Sequence, residues 1–159
     1  MLLNPPGKGD GVAIAVSACL LGEPCRYDGA SKPCADVAAL AERFTLVPVC
    51  PEVLGGLPVP RPPSEIQPDG RVVNSCGQDV TSAYNAGAAE AVRIAKAAHC
   101  TAAVLKAKSP ACGPWEVYDG SFSRTLAKGQ GVAARAFLDA GIPVVCENTL
   151  QKLEGVGVL

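Results

Sequence analysis

The reading of the fold turns on Ala13-Ile14-Ala15-Val16-Ser17, a short run that leads directly into Ala18-Cys19. A mostly apolar run without polar alternation suits a strand covered on both faces, as in a parallel sheet. Three similar runs follow: Phe44 to Val49, ending in Cys50-Pro51; Ala102 to Leu105, continuing as Lys106 to Gly113; and Ile142 to Val145, ending in Cys146. Pro48 and Pro143 disfavour the middle of a central strand and blur the second and fourth boundaries.

Helical patterns separate these runs. Ala35 to Arg43 is a short one. Asp79 or Thr81 can cap a long Ala-rich helix reaching about His99, with Val80, Tyr84, Ala88, Ala91 and Ala95 on one stripe. Gly131 to Ala140 reads as another helix, stopped by Gly141, and Asn148 begins a last short one. Between them, Pro51 to Cys76 carries six prolines and reads as a long functional loop. The predicted fold is α/β: a single Rossmann-like domain over 12–159, with a mostly parallel sheet, crossover helices and a long Pro-rich loop. Residues 1–11 read as a loose leader.

A chain of 159 residues can bury a core without covalent staples, and 48% of this one is hydrophobic. A net charge of −1 gives no electrostatic footprint for a nucleic-acid partner. The close basic pairs, Arg93 with Lys96 and Lys106 with Lys108, read as solvated faces. Eight cysteines are the compositional oddity. Val16-Ser17-Ala18-Cys19 has the look of a lipoprotein cleavage box, but the apolar run before it is Val12 to Val16, short of the roughly 7–15 residues an export signal needs. No stretch reaches the ~18–20 apolar residues of a membrane span. The expected location is the cytoplasm, where cysteines stay reduced and serve metals, catalysis or packing.

Ligands of open α/β sheets bind beyond the carboxyl ends of the strands. Cys19, Cys50 and Cys146 stand at such ends, and Cys112 lies in the loop after the third strand. The other four have blander readings: Cys25 and Cys34 flank the turn-rich Arg26-Tyr27-Asp28-Gly29, Cys76 is in a turn, and Cys100 packs beyond the long helix. No pair has the spacing of a zinc ribbon, and the lone His99 reads as a helix C-terminal residue. Thiolates without imidazoles select zinc, Cu(I) or iron–sulfur clusters. Four thiolates would close a cubane for electron transfer, whereas three would leave one iron open, so Cys146 or Cys25 decides between a carrier and an enzyme. A metal-free cysteine hydrolase is a further alternative, weakened by the placing of His99.

Ser17-Ala18-Cys19-Leu20-Leu21-Gly22 followed by Arg26-Tyr27-Asp28-Gly29 resembles the opening of the thiouracil desulfidase family. The resemblance continues through Cys50-Pro51-Glu52, Gly55-Gly56-Leu57-Pro58, Pro60-Arg61-Pro62 and Gly77-Gln78-Asp79-Val80-Thr81. It resumes at Leu105 to Gly113, Tyr118-Asp119-Gly120-Ser121-Phe122 and Gly129-Gln130-Gly131-Val132, spanning about residues 12 to 148. It implies an enzyme that removes sulfur from a thiolated pyrimidine, as base or nucleotide, without redox chemistry. It also implies a 4Fe-4S cluster held by three cysteines, with one iron not bound by protein.

Carried onto this chain, the ligands are Cys19, Cys50 and Cys112, and the catalytic side chains are Glu52 and Ser109. Ala111 stands where many relatives have a second serine. The chemistry asked of these residues is coherent: water attacks the thiocarbonyl carbon, a carboxylate two residues beyond a ligand serves as base, and a hydroxyl orients it or relays a proton. Arg61 is expected to pair with Glu65 or to bind a substrate phosphate. Asp28 and Asp119, each before a glycine, are expected to be turn residues.

Overall fold

The computed structural model describes residues 12–155, so the expected leader over 1–11 lies outside the described residues. β1 (Ala13–Ser17) ends in a 3₁₀ turn, Ala18–Leu21. Next come α1 (Ala35–Ala38), continued by a second 3₁₀ turn, then β2 (Thr45–Val49) and α2 (Pro51–Leu54). β3 (Ser64–Ile66) and β4 (Val72–Asn74) precede the long α3 (Thr81–Ala97) and β5 (Cys100–Val104). β6 (Glu116–Tyr118), β7 (Leu126–Lys128), α4 (Val132–Asp139), β8 (Val144–Val145) and α5 (Lys152–Gly155) complete the chain.

The central sheet has the order β2-β1-β5-β8 and is parallel throughout, as the four apolar runs predict. Pro48 is tolerated because β2 is an edge strand, where a missing N–H need not break a ladder. Pro143 stands just outside β8, and its carbonyl accepts the N–H of Ala103 at 2.9 Å. Side chains of β1 alternate between two cores. Ala13 and Ala15 face a cluster containing Tyr84, Ala91 and Ala95 of α3 and Phe137 of α4, and the small residues on both sides let α3 lie close. Ile14 and Val16 face the other, with Val37, Leu40, Phe44 and Leu153.

Several boundaries differ from the sequence reading. The stretch Pro51 to Cys76 is not simply a loop, for it holds α2 and the antiparallel β3–β4 hairpin. A second hairpin, β6–β7, lies between β5 and α4, where the sequence reading placed no strand. Strands of three residues are too short to show a period. The last helix begins at Lys152 rather than Asn148, because Thr149 Oγ1 accepts the N–H of Cys146 at 3.1 Å and holds that stretch as a turn. His99 lies past the end of α3 with φ 58°, not within the helix. Asp79 Oδ1 accepts the N–H of Thr81 at 2.9 Å, while Thr81 Oγ1 accepts the N–H of Val72 and ties the helix start to β4.

β1 leads to β2 on one side and β5 lies on its other side, so the strand order reverses at β1. A crevice beyond the carboxyl ends of such strands is where open α/β sheets bind ligands. Ser17 Oγ accepts the N–H of Lys106 at 2.8 Å and fastens the ends of β1 and β5 together there.

Candidate active site

Glu52 is placed by close backbone packing. Pro51 starts α2, where its fixed φ suits the first helical position. Gly87 of α3 lies against it, and a Cβ on Gly87 would sit 1.8 Å from the Pro51 carbonyl oxygen. The two helices therefore touch through backbone, which sets the direction of the Cys50-Pro51-Glu52 turn. Arg61 then fixes the carboxylate: its Nε donates to Glu52 Oε1 at 2.9 Å, its Nη1 to the Pro58 carbonyl at 3.0 Å and its Nη2 to the Cys25 carbonyl at 2.9 Å. The expected Arg61–Glu65 pair does not form. Glu65 Oε1 instead accepts the N–H groups of Gly120 and Phe122, at 3.0 and 3.1 Å. Its guanidinium is committed to three protein acceptors, and Arg61 also lines the cavity.

The thiols gather from separate loops. Cys19 is in the 3₁₀ turn after β1, and its carbonyl accepts the N–H of Lys32 at 2.9 Å, folding the Gly22 to Cys34 segment back over the strand end. Cys50 directly precedes α2. Cys25 comes between them: its thiol contacts those of Cys19 and Cys50, and its pKa is pushed up to about 11, first by the Cys19 contact. The Cys50 thiol is raised further, by its contact with Cys25 and then by burial. Cys112 is raised to about 12 by burial, against the opposing contacts of Ser17 and Ser109.

Ser109 Oγ accepts two backbone N–H groups, from Ala111 at 3.1 Å and Cys112 at 3.0 Å, so the turn that presents Cys112 is built on this hydroxyl. Its proton remains available to donate. The same loop is clamped by α4, whose first N–H groups donate to the carbonyls of Pro110 and Ala111. Gly131 just before that helix has no room for a side chain, since a Cβ there would meet Ala111 at 2.5 Å.

All six residues singled out from the sequence, Cys19, Cys50, Cys112, Glu52, Ser109 and Arg61, line one cavity of about 570 Å³. Small-molecule sites span roughly 300–1,000 Å³. Among the described residues, no three His, Cys, Asp or Glu side chains converge closely enough for a single ion. Cys25 touches Cys19 and Cys50, and Cys112 lines the same cavity.

A family profile described as "2-thiouracil desulfurase" matches residues 14–149. This chain belongs to the 2-thiouracil desulfurase family. It is 37% identical over 149 residues to the uncharacterized protein YbbK of Bacillus subtilis (strain 168), covering 88% of this chain and 99% of that one. It also matches the solved structure of a "[4Fe-4S]-dependent thiouracil desulfidase TudS" with a TM-score of 0.85 and 39% identity, over 93% of this chain and 99% of that chain.

Two cysteines of this desulfurase-family chain fall differently from the sequence reading. Cys25, read as a turn neighbour, lines the cavity beside Cys19 and Cys50. The available signal was that its Arg26-Tyr27-Asp28-Gly29 turn belongs to the shared opening motif. Cys146 is buried at the end of β8 and does not line the cavity; its N–H and sulfur face Thr149 Oγ1. β8 is separated from β1 by β5, which puts its end one strand too far away. Asp28 and Asp119 are turn residues as expected, accepting the N–H groups of Ala30 and Ser121.

Proposed function

We propose that this protein is a 4Fe-4S-dependent desulfidase that replaces the thiocarbonyl sulfur of a thiolated pyrimidine with oxygen from water. The observation that carries the reading is the convergence of three motif cysteines, a carboxylate and a hydroxyl on one cavity at the reversal of strand order. Its overall balance is hydrolytic: the thiocarbonyl compound and water give the carbonyl compound and hydrogen sulfide, with no net electron transfer. Cys19, Cys50 and Cys112 are the residues that would hold the cluster. Bound by three thiolates, the cluster supplies a soft Lewis-acidic iron for the substrate's sulfur.

The chain's own residues do the rest. Glu52 has Oε1 anchored by Arg61 and its carboxylate lines the cavity, which leaves Oε2 as the basic oxygen. That oxygen takes a proton from water as the water oxygen bonds to carbon and the carbon–sulfur bond breaks. Ser109, its oxygen already accepting two N–H groups, relays the second proton of that water: it hands its own to the departing sulfur and takes the water's in exchange, and Glu52 then returns the first to complete hydrogen sulfide. Arg61 acts as a positioning residue for Glu52. Lys32, Lys108 and Arg124 line the cavity without an ion pair among the described residues, which favours a substrate form that carries phosphate.

None of the described helices is long and apolar enough to cross a membrane. We place the enzyme in the cytoplasm, where its thiols stay reduced. The test is anaerobic reconstitution with iron and sulfide, followed by turnover of thiouracil and its nucleotides in labelled water. One sulfide per substrate, solvent oxygen in the product and no demand for reductant are expected. A need for an electron donor in every turnover overturns the hydrolytic reading.

A further inference from the structure

Phe122 lines the cavity and is 41% exposed. It sits between β6 and β7 with φ 56°, a left-handed conformation that bulky residues rarely adopt. That conformation is imposed from β3 and the residue after it. Glu65 Oε1 accepts the N–H groups of both Gly120 and Phe122, and Gln67 Nε2 donates to the Gly120 carbonyl at 3.1 Å. Gly120 lies against the same backbone, where a Cβ would come within 2.8 Å of the Ile66 carbonyl oxygen. A single apolar side chain in water needs no explanation. Phe122 differs, because a costly backbone fixed from across the fold keeps its ring at a ligand-sized space and out of both core clusters. An outlier of this kind points to function.

Tyr27 is the other exposed aromatic of the lining, but the Arg26 guanidinium lies over its ring, 5.6 Å from the centroid. Among the described residues, no cation or second ring lies on Phe122. An open aromatic face suits a flat unsaturated ring, and nucleobases stack on such faces whatever their substituents. We propose that Phe122 binds the substrate by stacking on its pyrimidine ring, with Glu65 as the positioning residue that holds it there. The inference rests on the reading of a thiolated pyrimidine as substrate given above. Stacking fixes the plane of the ring but not which edge carries the sulfur. It therefore serves thiouracil and its product uracil alike, and leaves the choice of edge to polar groups of the lining. Contact made equally by the bound substrate and the transition state acts on KM and not on kcat.

Phe122→Leu is the test, because leucine is apolar, meets the same backbone demand and offers no aromatic face. The holoenzyme variant should keep wild-type iron and sulfide content and a kcat within about twofold of wild type. Its KM for thiouracil, and its Kd for uracil by equilibrium dialysis, should each rise roughly 10-fold. Phe122→Tyr keeps the ring and should bind both compounds as wild type does. Glu65→Ala frees the turn and should weaken both with the cluster intact; unchanged uracil binding by that variant removes the positioning role. The proposal is overturned if Phe122→Leu holds KM and Kd within about twofold of wild type, lowers kcat at unchanged KM, or loses iron. Uracil binding separates the two readings. A wild-type enzyme that carries a full cluster, binds uracil and releases no sulfide fails as a desulfidase, while the Kd of Phe122→Leu still decides the role of the ring.

Discussion

Arg61 Nε and Glu52 Oε1 meet over 2.9 Å with both side chains largely withdrawn from water, 4% and 16% exposed. An ion pair in that setting contributes little by its attraction alone, but removing one partner strands the other charge. Arg61→Ala leaves the Glu52 carboxylate unpaired, the Pro58 carbonyl without a donor and the Cys25 carbonyl with only its contact to the Cys50 thiol. A stability loss of roughly 3 kcal/mol or more is expected by chemical denaturation. Arg61→Lys restores the charge without the fork, and should recover part of the stability while kcat stays low. A fully active Arg61→Lys enzyme removes the positioning role.

Glu52→Gln keeps an oxygen for Arg61 to donate to, so the site should assemble around it. Iron and acid-labile sulfide should match wild type, and turnover should drop by roughly 10²–10⁴, the range for a positioned acid–base group. Ser109→Ala should lose less, since water can take over part of a relay, but it also deprives Ala111 and Cys112 of their acceptor. Its cluster should therefore bleach sooner in air. Rapid turnover by Glu52→Gln excludes it as the base.

Replacing Cys19, Cys50 or Cys112 by serine should abolish iron binding, whereas Cys34, Cys76, Cys100 and Cys146 are dispensable for it. Cys25 is the discriminating position, because its thiol contacts those of Cys19 and Cys50. A Cys25→Ala protein with full iron content keeps the ligand set at Cys19, Cys50 and Cys112. A colourless one makes Cys25 a ligand and requires the set to be redrawn. Iron analysis of each variant after identical anaerobic reconstitution is the measurement.

Outside the site, the thiols should differ sharply in reactivity. Cys76 is exposed, while burial pushes Cys100 up to about 11. At pH 8 a thiol of that pKa is about one part in a thousand thiolate, and thiolate is the reactive form. Alkylation followed by mass spectrometry should mark Cys76 first and reach Cys100 only on unfolding. A pKa raised in the folded state also means that the contribution of Cys100 is fully present below about 9, its unfolded value, and is lost as the pH rises through 11. Stability should accordingly decline in that alkaline window. Cys100→Ala should flatten the decline.

Gly87→Ala tests how the Cys50-Pro51-Glu52 turn is held. The added methyl would come within 1.8 Å of the Pro51 carbonyl oxygen, so α2 and α3 must part. Overpacking of this kind costs roughly 1–3 kcal/mol, and here it should also move Glu52 and lower activity. Ala89→Gly, at an exposed position of the same helix, provides a control for helix propensity. Equal activity in both variants would show that the backbone contact does not set the site.

The parallel sheet could be read from the sequence because strands buried on both faces carry their signal in every residue, as Ile14, Val16, Leu46 and Val104 do. The two hairpins could not, since three residues apiece give no period and their pairing depends on remote contacts such as Glu65 with Gly120. Cys19, Cys50, Cys112, Glu52 and Ser109 were legible because each belongs to an unusual motif. The partner of Arg61 was not: Glu65 is nearer in sequence, but the chain between Pro58 and Arg61 turns the guanidinium back toward α2. Tyr84 was read correctly as a core residue on the stripe of α3. Where its single oxygen ended depended on a contact with α2 that no local pattern encodes.

Gly131 donates its N–H to the Gly113 carbonyl over 2.7 Å, so the excursion between them leaves and rejoins the domain at one point. The stretch from Pro114 to Gln130 carries Phe122 and Arg124 to the cavity and is pinned a second time at its far end, where Glu65 holds Gly120 and Phe122. Grafting hairpins of other lengths between the two glycines would alter the entrance while the Cys112 loop and α4 stay locked to each other. The rim of the cavity can thus be varied in length only while its pin to Glu65 is kept, whereas the floor stays fixed by the Cys112 loop and α4.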